Sequence, residues 1–132
     1  MPIGLRFLDH VAFDVADLPT SRRFYLAALA PWGAREVQME SAFGYGPEGS
    51  EDLWIAQGVP GPPLHLALAA PDRATVDAFY AAALAAGGRD NGAPGLRPRY
   101  HAAYYAAFVL DPDSNNIEAV HHGGRPQGFA AS

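Results

Sequence analysis

Leu8-Asp-His-Val-Ala-Phe-Asp-Val15 alternates two kinds of side chain, and the same alternation returns in Leu64-His-Leu-Ala-Leu-Ala69. In the first stretch Val11, Phe13 and Val15 share one face, with His10 and Ala12 on the other. In the second, Leu64, Leu66 and Leu68 oppose His65, Ala67 and Ala69. Successive side chains of a strand point to opposite faces. Each stretch is therefore expected to be a strand with a bulky face packed on something and an open face holding one histidine among small residues. Sliding the chain by 55 residues sets His10 on His65, Phe24-Tyr25 on Phe79-Tyr80, Ala28-Leu29 on Ala83-Leu84 and Gly33 on Gly88. A shared register of this kind marks two copies of one unit.

A helix follows each opening strand. The second is the clearer: Asp72 can cap it, Val76, Phe79, Tyr80, Ala83 and Leu84 fall at helical spacing, and Gly87-Gly88 ends it. The first spans about residues 17–30, with Phe24, Tyr25, Ala28 and Leu29 on the matching stripe and Pro31 as its stop. Short strands are expected at 34–40, 42–45 and 53–57 in the first unit, and at 103–110 and 117–121 in the second. Asn91-Gly-Ala-Pro-Gly-Leu-Arg-Pro98 reads as a loop. The chain is thus expected to be one α+β domain, two βαβββ modules forming an eight-stranded curved mixed sheet with helices on the outer face. Module 1 covers about 1–57, a Pro/Gly-rich linker 58–63, module 2 about 64–122 and a tail 123–132.

Composition narrows the function. At 132 residues and 49% hydrophobic, the chain can bury one core, which excludes disorder. Without cysteine there is no disulfide framework, thiolate metal site or cysteine nucleophile. All nine cations are arginines against 14 acids, so a Schiff-base lysine is impossible and no basic face for nucleic acid can be assembled. No apolar run approaches the roughly 18 residues of a membrane helix, and residues 1–10 lack a signal-peptide layout. A cytoplasmic protein with a small-molecule substrate is the expectation. Exposed sheet edges on so small a chain point to a homodimer.

Three residues break the apolar strand pattern: His10, His65 and Glu118. Glu118, in Ile117-Glu-Ala-Val120, falls on the face opposite Ile117 and Ala119, and so on the side of the two histidines. Desolvating a carboxylate costs several kcal/mol unless something positive meets it. No lysine exists, and no arginine occupies a facing position in adjacent strands. A divalent cation would satisfy all three residues. Two imidazoles and one carboxylate with other positions open suit non-haem iron(II) and related octahedral ions. Ordinary structural roles for the three residues remain open at this point.

Leu8-Asp-His-Val-Ala-Phe-Asp-Val-Ala-Asp-Leu18 with Ser21-Arg-Arg-Phe-Tyr25 resembles the opening of the vicinal oxygen chelate superfamily, which includes glyoxalase I, extradiol dioxygenases, fosfomycin-resistance transferases and bleomycin-binding proteins. Asp111-Pro-Asp-Ser-Asn-Asn-Ile-Glu-Ala-Val120 is similar to its closing motif, with Ser114 where glycine is usual. Tyr100-His-Ala-Ala-Tyr-Tyr-Ala-Ala-Phe-Val-Leu110 resembles a bacterial glyoxalase/dioxygenase-like branch. The resemblance implies paired βαβββ modules and a cup-shaped metal site with His10, His65 and Glu118 as ligands. Iron(II) is favoured, with manganese, nickel or zinc as alternatives.

Departures from the family pattern shape the activity expected. Matching Leu53-Trp-Ile55 to Ile117-Glu-Ala119 puts Trp54 where glyoxalase I carries a fourth ligand, which disfavours the glutathione-dependent lyase. The bleomycin-binding proteins generally lack the ligands that are present here. The fosfomycin enzymes use a lysine, and a threonine where this chain has Ala12. The resemblance therefore implies a metal-dependent enzyme that chelates two neighbouring substrate oxygens, dioxygenase-like. A lyase or isomerase, and a non-catalytic small-molecule binder, stay open. His101, Tyr104 and Tyr105 are the candidates for proton transfer. Tyr104 and Tyr105 take opposite faces of a strand, so at most one serves. Trp54 could wall the pocket, and Arg97 and Arg99 could hold a substrate carboxylate. His121 and His122 read as surface residues.

Overall fold

A computed structural model of the chain describes residues 7–123. The signal-peptide reading of residues 1–6 and the tail from 124 onward lie outside the described residues. The first module runs β1 (Val11–Val15), α1 (Leu18–Ala28), a 3-10 turn (Ala30–Trp32), β2 (Arg35–Met39), β3 (Ala42–Gly46) and β4 (Leu53–Gln57). The second runs β5 (His65–Ala69), α2 (Arg73–Ala85), β6 (Arg89–Leu96), β7 (Tyr105–Leu110) and β8 (Asn116–His121). Both helices start on an aspartate whose carboxylate accepts a backbone N–H of the first turn: Asp17 from Thr20 at 3.2 Å and Asp72 from Thr75 at 2.8 Å.

The eight strands form two four-stranded sheets, ordered β1-β4-β3-β2 and β5-β8-β7-β6. In each, the opening strand runs parallel to the closing one and the remaining pairs are antiparallel. The duplication holds at the level of register. Ala12 pairs with Trp54 in the first sheet as Ala67 pairs with Glu118 in the second. One difference from the sequence reading concerns residues 91–98. Most of that supposed loop is β6, an eight-residue strand whose register slips between Asp90 and Gly92 and again between Gly92 and Gly95. Glycine and proline signal a break in the sequence, and here they are absorbed as bulges in an edge strand.

A single core joins the modules. Phe24 and Tyr25 of α1, Val76 and Phe79 of α2, Ile55 of the first sheet and Val109 and Ile117 of the second are all buried within it. Polar contacts also cross between modules. Trp32 Nε1–H donates to the Ala69 carbonyl at 2.8 Å, and the Trp32 ring meets Phe79 edge-on at 5.8 Å. Asp111, 1% exposed, lies in the turn before β8 and has every acceptor site engaged. One oxygen accepts from the N–H groups of Asp113 and Asn115 at 2.9 Å each. The other accepts from the Tyr25 hydroxyl at 2.5 Å and from Asn115 Nδ2 at 2.9 Å. Asn115 Oδ1 in turn accepts from Leu64 N–H at 3.0 Å, tying the turn to the start of β5.

Gly88 shows how tight the junction is. A methyl group there would stand 2.5 Å from Val109 Cγ1 and 2.8 Å from both the Ala83 carbonyl oxygen and Phe24 Cε1. Overpacking of this kind costs about 1–3 kcal/mol, and backbone oxygen cannot move aside as a side chain can. Gly88→Ala is expected to fall at the upper end, read as a lowered urea midpoint at unchanged slope.

Candidate functional site

The closing turn fixes β5 against β8, and that pairing builds the site. Ala67 lies opposite Glu118, so His65, two residues earlier, is on the same face of the neighbouring strand. His65 Nε2 lies 2.7 Å from Glu118 Oε1. Because a carboxylate only accepts, His65 donates through Nε2. The Tyr104 hydroxyl, arriving just before β7, donates to Glu118 Oε2 at 2.5 Å. Glu118 is 1% exposed whereas the His65 side chain is 54% exposed, so a carboxylate forms the floor and an imidazole its open wall. Phe108, opposite Glu118 on β7, shares this face with Ala106 and Val120. Its ring lies 6.2 Å from the His65 ring.

Burial, then the hydrogen bond to Glu118 and the negative charge of that group, raise the Tyr104 pKa well above the usual phenol value. Tyr104 is consequently a fixed donor at physiological pH. Tyr105 points the other way. Its hydroxyl donates to Asp77 of α2 at 2.6 Å, and Arg73 lies over its ring at 4.7 Å.

His101 stands beside Tyr104, ring centroids 5.4 Å apart. Its Nδ1 accepts from Ala103 N–H at 3.2 Å, so the proton is on Nε2, which donates to His122 Nδ1 at 2.8 Å. The two imidazoles stack with centroids 5.1 Å apart, and Tyr104 meets His122 edge-on at 5.2 Å. His122 is thus a half-buried part of this cluster rather than a plain surface residue. Its even spacing from Glu118 and Val120 was a signal that it could share their face. His121 turns to the other side, its Nδ1 donating to the Ala70 carbonyl at 3.1 Å.

Of the remaining candidates, Arg97 lies on the Glu118 face, over Phe108, whereas His10, Trp54 and Arg99 lie elsewhere. His10, just before β1, has Nδ1 2.7 Å from Asp9 Oδ1, and its side chain is 54% exposed. It borders a cavity of about 360 Å³ between the modules, walled by Trp32, Tyr45, Leu53 and Leu66. Among the described residues, no three His, Cys, Asp or Glu side chains are grouped to hold a metal ion within one chain. Trp54 lies with its indole against Gly44, donates Nε1–H to the Glu51 carbonyl at 3.0 Å, and walls a hollow of about 270 Å³ on the open face of the first sheet. Arg97 stands over Phe108, while Arg99 stacks on Tyr100 in an exposed turn.

The pairing of an imidazole and a buried carboxylate through one shared proton is a donor set that suits a divalent ion. Among the described residues His65 and Glu118 form such a pair, two of the three ligands the sequence led one to expect.

Comparison with known proteins follows the same lines. The profile of the Glyoxalase/Bleomycin resistance protein/Dioxygenase superfamily matches residues 7–119. Among curated proteins none matches. A glyoxalase/bleomycin resistance protein from Albidiferax ferrireducens T118 is similar at 32% identity and a TM-score of 0.77, covering 92% of this chain and 100% of that one. A glyoxalase/bleomycin resistance protein/dioxygenase family enzyme from Burkholderia phytofirmans PsJN superposes at a TM-score of 0.67 and 20% identity, covering 86% of this chain and 97% of that one. A lactoylglutathione lyase from Agrobacterium tumefaciens does so at 0.65 and 18%, covering 97% and 100%. At those identities the last two share the fold alone.

Proposed function

Because the chain belongs to the Glyoxalase/Bleomycin resistance protein/Dioxygenase superfamily, we propose that it is a metal-dependent enzyme of dioxygenase type. It takes two neighbouring oxygens of a small substrate on the open face of its second sheet. The observation that carries this reading is the Glu118 carboxylate, buried at the floor with an imidazole N–H and a phenol O–H as its partners. Each oxygen has one hydrogen bond, and among the described residues no arginine pairs with the carboxylate, which leaves negative charge for a cation to offset. A divalent ion, iron(II) first and manganese, nickel or zinc after it, would replace the proton His65 shares with Glu118. When bound, it supplies Lewis acidity to the substrate's paired oxygens.

The chain's own groups do the rest. Tyr104 holds the second Glu118 oxygen and keeps that carboxylate in one rotamer. Ala67 and Ala106 leave space beside Phe108, whose ring excludes water. The His101–His122 pair, next to Tyr104, can pass a proton between this face and solvent.

His10 enters from a second copy in this reading. β1 and β5 are both edge strands, with backbone groups left to pair. Laying β1 of one copy along β5 of another covers both edges and brings His10 beside His65 and Glu118. Each site of the resulting homodimer then takes one histidine from each chain.

The test is metal analysis of protein purified without chelator, followed by oxygen consumption with a panel of catechols under iron(II). Stoichiometric metal with oxygen uptake is expected, from a particle of two chains by light scattering. Metal without oxygen uptake would turn the reading to a lyase or isomerase. Less than about 0.1 equivalent after adding iron(II), manganese(II) or zinc(II) would leave a non-catalytic binder.

A further inference from the structure

β6 bulges twice, and Arg97 curls back over those bulges. Its Nη2 donates to the Ala93 carbonyl at 2.8 Å and its Nη1 to the Gly95 carbonyl at 2.9 Å. The space it occupies exists because two residues have no side chain. A methyl at Gly92 would stand 3.1 Å from Nη2 and 2.9 Å from Phe108 Cδ1, and one at Gly95 would stand 3.2 Å from Nη1. The guanidinium carbon lies 5.2 Å from the Phe108 ring centroid, a cation–π arrangement. Phe108 is the residue opposite Glu118, and its ring neighbours His65. The Arg97 backbone N–H closes the turn onto the Tyr104 carbonyl at 2.7 Å. The cation is thereby fixed on the face that carries His65, Tyr104 and Glu118.

Fixing a long side chain in advance removes entropy that binding would otherwise cost. Two of the five guanidinium N–H groups go to the two carbonyls, which leaves Nε–H and one hydrogen on each terminal nitrogen. Among the described residues no carboxylate forms an ion pair with Arg97. Arg99 is held differently: it is exposed, no backbone carbonyl fixes it, and it donates to the Tyr100 hydroxyl at 3.0 Å while lying over that same ring.

We propose that Arg97, held by the Gly92 and Gly95 bulges, is an anion subsite, so that the substrate carries a carboxylate in addition to its two neighbouring oxygens. This assignment rests on the reading of the second sheet's open face as the substrate site. A monoanion fits one guanidinium that stands near a carboxylate. A phosphate dianion calls for more positive charge than this face holds.

The experiment is calorimetric titration of metal-free protein with catechol, 2,3-dihydroxybenzoate and 3,4-dihydroxybenzoate. In the unaltered protein the better dihydroxybenzoate should bind at least about 10-fold tighter than catechol, as a charge-assisted pair provides. Arg97→Gln should abolish that preference, Gly95→Ala should reduce it, and Arg99→Gln should leave both the preference and the catechol affinity within about 2-fold. Equal affinity for all three compounds in the unaltered protein, or no binding of either dihydroxybenzoate at millimolar concentration, would overturn the proposal. So would Arg97→Gln weakening catechol and dihydroxybenzoate alike, since that is the mark of a structural staple. Failure of the metal reading shows separately, as absent metal uptake by unaltered protein, and the carboxylate preference of metal-free protein does not depend on it.

Discussion

Glu118→Gln is expected to weaken metal binding by more than about 100-fold, beyond what loss of an outer-shell partner costs, while the metal-free protein stays folded. The amide that replaces the carboxylate keeps an acceptor for Tyr104 or His65 and removes a buried charge. The His65 ring can carry its proton on Nδ1 and accept from the new amide through Nε2, so no buried group is left without a partner. Competition with a chelating dye reads the affinity. Thermal melting reads the rest: iron(II) or manganese(II) should raise the melting temperature of the unaltered protein and leave that of Glu118→Gln unmoved.

A second arm examines the dimer. His10→Ala should lose metal as Glu118→Gln does. In a mixed dimer, however, the intact His10 of one variant faces the intact His65 and Glu118 of the other. Equal mixing with subunit exchange should therefore restore about a quarter of full loading, because half the dimers are mixed and each has one whole site. If His10→Ala alone binds metal fully, His10 is not a ligand. If both variants fail alone and mixing restores nothing, the shared site is wrong.

Asp111→Ala is expected to be the most damaging polar substitution for stability. Its carboxylate, 1% exposed, accepts four hydrogen bonds and joins α1 of the first module to the turn before β8. Removing it strands the hydroxyl of Tyr25, which is itself fully buried. A hydrogen bond to a charged group contributes about 1.5–3 kcal/mol and an unsatisfied buried donor costs about 1–3 kcal/mol, so a loss of at least about 3 kcal/mol is expected. The melting temperature should fall by roughly 10 °C for a domain of this size. Because the same turn aligns β5 with β8, metal affinity should fall too, which Gly88→Ala is not expected to do at temperatures where it is folded.

The pair also sets an alkaline limit. Burial, and then the negative charge of Asp111, raise the Tyr25 pKa well above the ordinary phenol value. Burial raises Tyr45 as well. A raised folded-state pKa means that the unfolded chain holds fewer protons above that ordinary value of about 10. Stability from this source is therefore complete below pH ~10 and declines as pH rises past it. Denaturant titrations between pH 8 and 11 would show the decline. A flat profile across that range would contradict the environment assigned to Tyr25.

The paired modules were legible because their signals are local. Period-two alternation around His10 and His65, and helical spacing around Phe24 and Phe79, need no knowledge of distant residues. Parallel pairing of opening and closing strands then suffices to bring His65 and Glu118 together. What escaped the sequence is long-range. β6 is a strand because β7 pairs with it, although Gly92, Pro94 and Gly95 each argue for a break. Tyr104 reaches Glu118 across fourteen positions of chain, and Arg97 reaches Phe108 only because bulges turn it back. His10 stands away from the other two candidates for a similar reason: the packing of one module on the other is set by Tyr25, Trp32 and Gly88, and repeat register carries no information about it.

The chain has two tryptophans, and the fold treats them oppositely. Trp32 is held between Phe79 and the Ala69 carbonyl at the edge of the shared core, whereas Trp54 lies on the open face of the first sheet at the position equivalent to Glu118. One fluorophore therefore reports the integrity of the fold and the other the occupancy of that face. Trp32→Phe would leave an emission spectrum that belongs to Trp54 alone. Collisional quenchers such as acrylamide would then measure directly how far a second copy or a ligand shields it.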